Sequence, residues 1–572
     1  MPGFLQRRAN EAMVDRSRSP NRNVLLPRQL RTWIESWAWG KCPAIDVVRH
    51  GRDWIEDNRA MRPLDMDHRI VRLAKAHANP GNAERVVSSM VPLAGVPPPV
   101  SVPDSAIQLF LPPFDILQWL RRTSPAKFEH HLGASPNGVS EFWRSLRSSA
   151  SGQELWDSHP WLRGKTPRDL KWHLPLVVFD DSGPFTENNS VFVRCFYSIL
   201  GQGSEKHTRF LISTGVKVGG NPDTTPDRSW EPIMQSFDRL AGPAEHGSWG
   251  GILLFVGADL EYACNVLGLQ HYNGARVCME CKADTVVLPH NNFAEDAEWR
   301  TSRHSPQEYL DAIRRPLHDL VRHPFFNRLT YRYDLLHLLD HHGLTSQVVG
   351  NILYAHLAGD RETDVLPGTN TEERLGFLNA DILAFYQANH VSNRLPALTM
   401  GNIKSDIFPE LKGNGVKAAN SRSIMPYIAE LQARAVALNP TRIQRHMLRV
   451  AQSLNEAYNI FYCDDVFLSP SAVASLGDHL TKLGRHYQVL QNKALADNKT
   501  RWKTLVKTHY VVGHLAGQAA LINPRAVQSY ASESMVDQIC GIYKGSRNGP
   551  YLAQVQSVTM TKYRTGLKLL WE

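Results

Sequence analysis

Two apolar segments of this 572-residue chain each lead into an aspartate, and this pattern limits the folds that the chain can adopt. Residues 174–180 read LPLVVFD, so that the segment ends in Asp180 and is followed by Asp181. Residues 251–257 read GILLFVG and lie just before Asp259. Short apolar runs bounded by Gly, Pro or Ser predict buried strands. An Asx turn closing each strand is one explanation of these acids. Two acids that meet in one sheet would instead form a site for Mg²⁺ or Mn²⁺.

The segments between these two strands predict the rest of a sheet. Predicted strands at 190–198 and 208–216 follow the first strand after short polar turns, as in an antiparallel meander. A predicted helix at 229–241 precedes the fourth strand, which is therefore expected to return parallel to the first. Three meander strands, a helix and a fourth strand form the order found in RNase H-like nucleases. We predict an α/β protein with an RNase H-like mixed sheet core interrupted by a large all-α insertion, and with an N-terminal helical region.

Hydrophobic periodicity and local composition divide the rest of the sequence into regions on either side of this core. Polar segments without periodicity are expected to be disordered, and proline-rich segments to act as linkers. Apolar residues at helical spacing dominate before residue 170 and after residue 300. The predicted regions are a disordered basic N-terminus (1–25), an N-terminal helical region (26–170) with a proline-rich linker near 91–103, the sheet core with a CxxC element (171–300), a helical insertion (301–505) and C-terminal helices completing the core (506–572).

The composition of the chain limits the cellular compartments in which we expect the protein. Hydrophobic residues make up 42% of the chain and charged residues 21%, as in soluble globular proteins, and no apolar run is long enough to span a bilayer. The first 20 residues lack the apolar segment of a signal peptide. Seven cysteines, most of them isolated, do not suggest a disulfide framework. We therefore expect a nuclear or cytoplasmic protein that is neither secreted nor associated with membranes.

The net charge of +9 permits a polyanionic partner without requiring one. Basic residues concentrate at the N-terminus and again near residue 500, where Arg501, Lys503 and Lys507 surround Trp502. Such a segment can bind DNA through phosphate contacts and stacking of the aromatic ring. A solvated basic surface is the alternative explanation.

Cys278 and Cys281 form the only closely spaced cysteine pair. A CxxC pair can supply two thiolates to one Zn²⁺, but a structural zinc site needs two further ligands. A buried pair of reduced thiols is the alternative. The histidines considered as further ligands are His271, His290, His304, His337, His341 and His342.

A second cluster of polar residues lies within the apolar segment 334–343, DLLHLLDHHG. On an α-helix, Asp334, His337 and nearly Asp340 would share one face with the histidine at 341. Such a face can bind a metal or orient a catalytic acid. The alternative is a helix with a solvated polar face that ends at Gly343.

Near the C-terminus, Glu533 is expected in the first turn of a helix that begins close to Ser532. A carboxylate in this position is favoured by the helix dipole even without a further function. A capping role is therefore the simplest interpretation of this residue considered by itself.

Six motifs together resemble a known family. In chain order they are DSGPF (181–185), GADLEY (257–262), CMEC (278–281), Trp299-Arg300, DLLHLLDHHGL (334–344) and NPRAVQSYASESM (523–535). Over residues 170 to 572 the chain resembles transposase-like proteins of the CACTA (En/Spm-type) group, which are widespread in dinoflagellate and other protist genomes.

The resemblance implies an RNase H-like DD(E/D) fold that nicks a DNA strand with water and then joins the freed 3′-hydroxyl to target DNA. Asp181 and Asp259 would be the first two acids and Glu533 the third, with Asp340 as the second choice for the third position. These carboxylates would bind Mg²⁺ or Mn²⁺. The implied partners are DNA and, in the active form, further copies of the chain.

The resemblance also places a CxxC and a D-x-x-H element between the second and third acids. Here these elements fall on Cys278 and Cys281 and on Asp334 and His337, and a structural zinc is expected to join the cysteines to His337. Ser534 departs from the pattern, because related proteins tend to carry another acid there. An N-terminal zinc-finger module is not evident.

Two alternatives remain at this point. A decayed copy would be a catalytically inactive, transposon-derived DNA- or protein-binding protein. An unrelated RNase H-like exonuclease would carry its acids closer together in sequence and would not need so long a helical insertion.

Overall fold

The structure is a computed structural model that describes residues 28–57, 80–102, 108–184, 186, 190–216, 229–244, 248–314, 317–359, 362–363, 365–404, 407–463, 465–546 and 552–572. The segment predicted to be disordered, 1–25, lies outside these residues. The chain forms two compact units, one of Met1–Val96 with Gln538–Glu572 and the other of Pro97–Asp537. Within the described ranges, no helix combines the length and the apolar character needed to cross a bilayer.

A seven-stranded mixed sheet lies in the second unit. Its order is β1-β2-β5-β4-β3-β6-β7, in which β3, β4 and β5 are antiparallel neighbours and β6 and β7 run parallel to β3. The predicted meander and the predicted parallel return are therefore confirmed. The strands are β1 Val100–Ser101, β2 Leu109–Phe110, β3 His173–Pro184, β4 Ser190–Ser198, β5 Phe210–Val216, β6 Gly250–Ala258 and β7 Tyr331–Tyr333.

Helices make up most of the remaining described residues. In chain order they are α1 Arg28–Ala38, α2 Ala44–Asp57, α3 Pro80–Ser88, α4 Pro113–Thr123, α5 Pro125–Leu132, α6 Pro136–Ser148, α7 Ala150–Ser158, α8 Glu205–Thr208, α9 Trp230–Leu240, α10 Leu260–Asn265, α11 Pro306–Asp311, α12 Asp319–Arg322, α13 Leu344–Leu357, α14 Thr371–Ala388, α15 Met400–Ile403, α16 Ala418–Ser423, α17 Met425–Leu438, α18 Arg442–Cys463, α19 Pro470–Ala496, α20 Val506–Gly513, α21 Leu515–Ala519, α22 Tyr530–Gly545 and α23 Leu552–Trp571. Shorter 3₁₀ segments lie at Glu298–Thr301 and Pro524–Val527, and a π-helical turn lies at Leu336–Asp340.

The first unit has its own small apolar core. Leu30, Ile34 and Trp37 of α1 pack with Val47 of α2 and Val87 of α3, and all five are buried. Residues 26–170 were predicted as one helical region. The structure divides them, because residues up to 96 belong to the first unit and residues 97–170 belong to the second.

The central strands of the sheet are buried on both faces, which explains their continuous apolar sequences. All nine residues of β6 are buried, as are the first eight of β3. The parallel pairing of β3 with β6 ends at Phe179 opposite Gly257. Asp181 and Asp259 come two residues after this last pair, so both acids lie where the two central strands separate.

Three local predictions differ from the structure. Residues 334–343 do not form a regular α-helix, since the turn is π-helical and Gly343 precedes α13 instead of ending a helix. The three-residue strand β7 lies within the region expected to be wholly helical. Strand β1 lies within the proline-rich segment 91–103 that was predicted to be only a linker.

Candidate metal centres

The structure brings together three side chains that are far apart in sequence. Ligand atoms of Asp181, His337 and Glu533 all lie within 4.8 Å of one another, and Nε2 of His337 is 3.9 Å from Oε1 of Glu533. Asp181 lies in β3, His337 in the π-helical turn and Glu533 in the first turn of α22. We call this group the carboxylate cluster.

Asp259 lies beside the carboxylate cluster and not within its closest group. It is the N-cap of α10, where its Oδ1 accepts a hydrogen bond from the backbone N–H of Tyr262 at 2.6 Å. Its negative charge acts on the three residues of the cluster. Asp259 thus caps a helix and also adds a third carboxylate to the same region.

The carboxylates of the cluster are crowded and poorly solvated. Burial, followed by the nearby charge of Asp259, raises the pKa of Asp181. Burial, followed by the charge of Asp181, raises the pKa of Glu533 to about 10. Oε1 of Glu533 is buried and accepts no hydrogen bond from a donor group among the described residues, and Glu533 and Asp181 lie close enough to share a proton. An orphaned buried carboxylate oxygen next to a second carboxylate is costly unless a cation or a proton neutralises it.

Asp334 orients two parts of the cluster at once. Its carboxylate accepts hydrogen bonds from the backbone N–H and the hydroxyl of Ser529, at 2.8 and 2.6 Å, just before α22 begins. Its Oδ2 lies 2.5 Å from Nδ1 of His337. Burial lowers the pKa of His337, but the hydrogen bond and charge of Asp334 outweigh it, so the net shift is upward. Nε2 of His337 is left to face Glu533.

Asp340, the second choice for the third acid, has a different role. It is buried and accepts hydrogen bonds from the hydroxyls of Tyr458 and Tyr530. Burial raises its pKa to about 7. The guanidinium of Arg422 lies 4.8 Å from the ring centre of Tyr530. Both oxygens of Asp340 accept hydrogen bonds from tyrosines, and Asp340 is not part of the group around Asp181. The structure therefore does not support Asp340 as the third acid.

Asp180 points away from Asp181, as neighbouring residues of a strand do. Its Oδ2 accepts a hydrogen bond from Nε of the buried Arg194 at 2.7 Å and another from the hydroxyl of Tyr262. Tyr262 belongs to the helix that Asp259 caps. Asp180 is therefore an ion-paired residue that ties β3 to α10.

A cavity of about 370 Å³ opens beside the carboxylate cluster. Asp259 and His337 line it together with Lys503 and Lys507. Nζ of Lys507 donates to the backbone oxygens of residues 341 and 342, at 3.4 and 3.2 Å. Burial lowers the pKa of Lys507, while Asp259 acts in the opposite direction. The cavity is thus lined by both acidic groups and lysines.

A second cluster contains the two cysteines of the CxxC element. Sγ of Cys278 lies 3.3 Å from Nε2 of His514, and Sγ of Cys281 lies 3.4 Å from Nε2 of His509. All four residues are buried, and their ligand atoms lie within 4.8 Å of one another. We call this group the Cys2His2 cluster. It differs from the predicted set, because His337 lies in the carboxylate cluster instead.

The surroundings of the Cys2His2 cluster hold His509 in place. Nδ1 of His509 is 3.0 Å from the backbone oxygen of His290, so its Nε2 is turned toward the cysteines. The indole ring of Trp299 packs 4.4 Å from the ring of His509. His509 and His514 were missed in the sequence, although they form a close pair on the C-terminal side of the insertion.

The predicted DNA-stacking role of Trp502 is wrong. Only 3% of this residue is exposed, its backbone N–H donates to Oδ1 of Asn351 at 2.7 Å, and its ring packs edge-on against Tyr487. Arg501 lies 5.1 Å from the ring centre of Tyr354, and Lys503 is exposed. The ring of Trp502 belongs to the helical core, and only basic neighbours remain for DNA contacts.

Replacing Trp502 with Ala is expected to destabilise the protein by about 3–5 kcal/mol, because it leaves a cavity where a large ring was buried. DNA affinity of the folded protein should not change. Urea unfolding and a DNA-binding titration measure the two quantities. The exposed Thr500→Ala serves as the control for stability. A Trp502→Ala protein of normal stability and reduced DNA affinity would restore the stacking hypothesis.

No protein-family model and no curated protein sequence matches this chain. The fold and the sites therefore define it as a mixed α/β protein with two candidate metal-binding clusters.

Proposed function

We propose that this protein is a transposase-like enzyme that cleaves DNA strands and transfers them at a metal-bound carboxylate cluster. The observation that carries the proposal is the convergence of Asp181 and Glu533, with Asp259 beside them, where two parallel central strands separate. The strand order β5-β4-β3-β6-β7 supports an RNase H-like core of the DD(E/D) kind. DNA is the proposed substrate, and we expect the enzyme to act in the nucleus as a homo-oligomer.

The residues of the cluster fit a divalent cation. Asp181 and Glu533 would hold it through carboxylate oxygens, and Oε1 of Glu533 accepts no hydrogen bond from a donor among the described residues. Asp259 lies close enough to add charge, and His337 offers a nitrogen. Carboxylate oxygens suit Mg²⁺ and Mn²⁺, and an imidazole is better tolerated by Mn²⁺. When bound, such ions activate water and stabilise the leaving oxygen of a phosphodiester.

The chain's own groups would orient the substrate around this centre. Lys503 and Lys507 line the cavity together with Asp259, so a DNA phosphate in the cavity would meet positive charge there. Lys507 is held by two backbone oxygens, which limits its motion and directs its ammonium group. Asp334 fixes the orientation of the ring of His337 and the position of Ser529, just before α22 begins.

The Cys2His2 cluster fits a structural zinc. Two thiols and two imidazole nitrogens are a common tetrahedral ligand set for Zn²⁺, and here all four side chains are buried. A ligand set of four side chains leaves no open position, so this zinc would stabilise the fold without taking part in DNA cleavage.

The test of the main proposal is nicking of supercoiled plasmid DNA by the full chain, with Mg²⁺, with Mn²⁺ and with neither. Nicking that requires one of these ions is the expected result. A protein that binds the plasmid in all three conditions and never nicks it would instead belong to the class of inactive, transposon-derived binding proteins.

Changing Asp334 to Asn should weaken Mn²⁺ binding at the carboxylate cluster by about 10–100-fold, as is usual for groups that orient a metal ligand. The amide cannot match the charge that Asp334 supplies to His337, and it loses one of its acceptor oxygens. Isothermal titration with Mn²⁺ measures the affinity, and NMR titration measures the pKa of His337, which should fall. The exposed Asp311→Asn is the control. An unchanged pKa of His337 would argue against this positioning role.

A further inference from the structure

Helix α18 carries a row of arginines on its exposed side. Arg442, Arg445 and Arg449 are spaced as i, i+3 and i+7, which places them on one face of an α-helix, and all three are exposed. With a rise of 1.5 Å per residue, the row extends over about 10 Å along the helix. We call these three residues the arginine stripe.

The arginine stripe is not neutralised by neighbouring acids. Arg445 donates to the backbone oxygen of Pro440 at 2.7 Å, and Arg449 lies 3.5 Å from Oε1 of Gln452. Within the described part of the chain, none of the three forms an ion pair with a carboxylate. The exposed Arg434 on the preceding helix α17 differs, because it pairs with Asp381.

A pair of histidines joins this face to α19, with His446 on α18 and His486 on α19. Nδ1 of His446 lies 2.9 Å from Nδ1 of His486, so that one ring donates to the other. Burial and then Arg442 lower the pKa of His446. Burial, His446 and then Arg449 lower the pKa of His486 to about 4. The charged side chains that act on this pair are the arginines Arg442, Arg449 and Arg485.

We infer that the face formed by the arginine stripe and the paired histidines binds the phosphate backbone of duplex DNA. Arginine forms two parallel hydrogen bonds with a phosphate, and an exposed guanidinium without an acidic partner is free to do so. Duplex DNA carries one charge per about 1.7 Å of its axis, so a stripe of this length can span several phosphates. The inference rests on the proposed function. It assigns binding of the DNA substrate to a surface that lies outside the metal centres.

The test compares the full chain with the triple variant R442Q/R445Q/R449Q in binding to a fluorescent DNA duplex. Titrations at several salt concentrations are done with Ca²⁺ in place of Mg²⁺ or Mn²⁺. Each lost phosphate contact removes about 0.9 from the slope of log affinity against log salt, so the slope should fall by about 2 to 3. At 0.15 M salt the affinity should fall about tenfold or more. The matched control R434Q should bind as the wild type does, and R442K/R445K/R449K should retain most of the slope.

The outcomes separate this inference from the proposed catalysis. A triple variant that is folded by circular dichroism and keeps the wild-type slope would overturn the surface, whatever its nicking activity. The surface would also be overturned if the wild type bound an acidic peptide of equal charge as tightly as it binds the duplex. Absence of metal-dependent nicking, together with a reduced slope in the triple variant, would overturn the catalytic proposal and leave the DNA surface standing.

Discussion

Replacing Glu533 with Gln, or Asp181 with Asn, should reduce metal-dependent nicking of DNA by about a thousandfold or more. Metal stabilisation of the transition-state charge contributes several kcal/mol, and each substitution removes a charged ligand oxygen without changing the shape of the side chain. Initial rates on supercoiled plasmid in Mg²⁺ and in Mn²⁺ measure the effect. The variants should remain folded, because the neutral amide removes repulsion between buried carboxylates.

A matched control lies one helical turn further along α22. Asp537 is exposed, so that Asp537→Asn changes the same charge on the same helix away from the cluster. Its nicking rate should equal that of the wild type. Melting temperatures should be unchanged or raised in Glu533→Gln and unchanged in Asp537→Asn. Nicking at the wild-type rate by both Glu533→Gln and Asp181→Asn would refute the assignment of the centre.

Substitution of Cys278 with Ser should abolish binding of the proposed zinc and strongly destabilise the second unit. Structural zinc sites in small peptides bind with about 10–16 kcal/mol at pH 7, which exceeds the total stability of many domains. The wild type is expected to contain about one zinc per chain by elemental analysis. Prolonged incubation with a strong chelator should lower the melting temperature in the same way as the substitution.

The control for this experiment is Cys42→Ser. Cys42 lies in the first unit, is half-buried and takes no part in the Cys2His2 cluster, so its substitution should leave the zinc content unchanged. A wild-type protein that is purified without zinc and melts at the same temperature with and without the metal would show that the four residues form only a buried hydrogen-bonded group.

The central strands could be predicted because their signal is local. Predicted strands at 174–180, 190–198 and 251–257 match β3, β4 and β6 closely, and the helix before the fourth strand correctly indicated the parallel return. Strand β7 was missed because three residues are too few to show an alternating pattern. Its pairing depends on β6, which lies far away in the sequence.

The candidate site was only partly predictable, because the grouping of ligands is a tertiary property. The family resemblance led us to expect His337 beside the cysteines, but the π-helical turn directs it to Glu533. His509 and His514 are five positions apart, with the second residue at the break between α20 and α21. They therefore lack the i, i+4 spacing that marks paired ligands on one helix.

Trp502 illustrates a further limit of pattern-based inference. A tryptophan among basic residues is typical of a nucleic-acid contact, and its burial cannot be seen from composition. The backbone at this residue has a positive φ of 56°, which the chain adopts as it turns toward α20. That turn directs the ring inward toward Tyr487 and leaves the neighbouring cations outside.

Several hydrogen bonds of Asp334 and Asp340 can form only after residues much later in the chain have been synthesised. Their partners Ser529 and Tyr530 lie 195 and 190 positions later in the chain. Until those residues emerge, two acids destined for burial lack some of the donors that compensate their desolvation. A chain synthesised only as far as residue 528 would therefore lack Ser529, Tyr530 and Glu533, and with them the proposed metal centre.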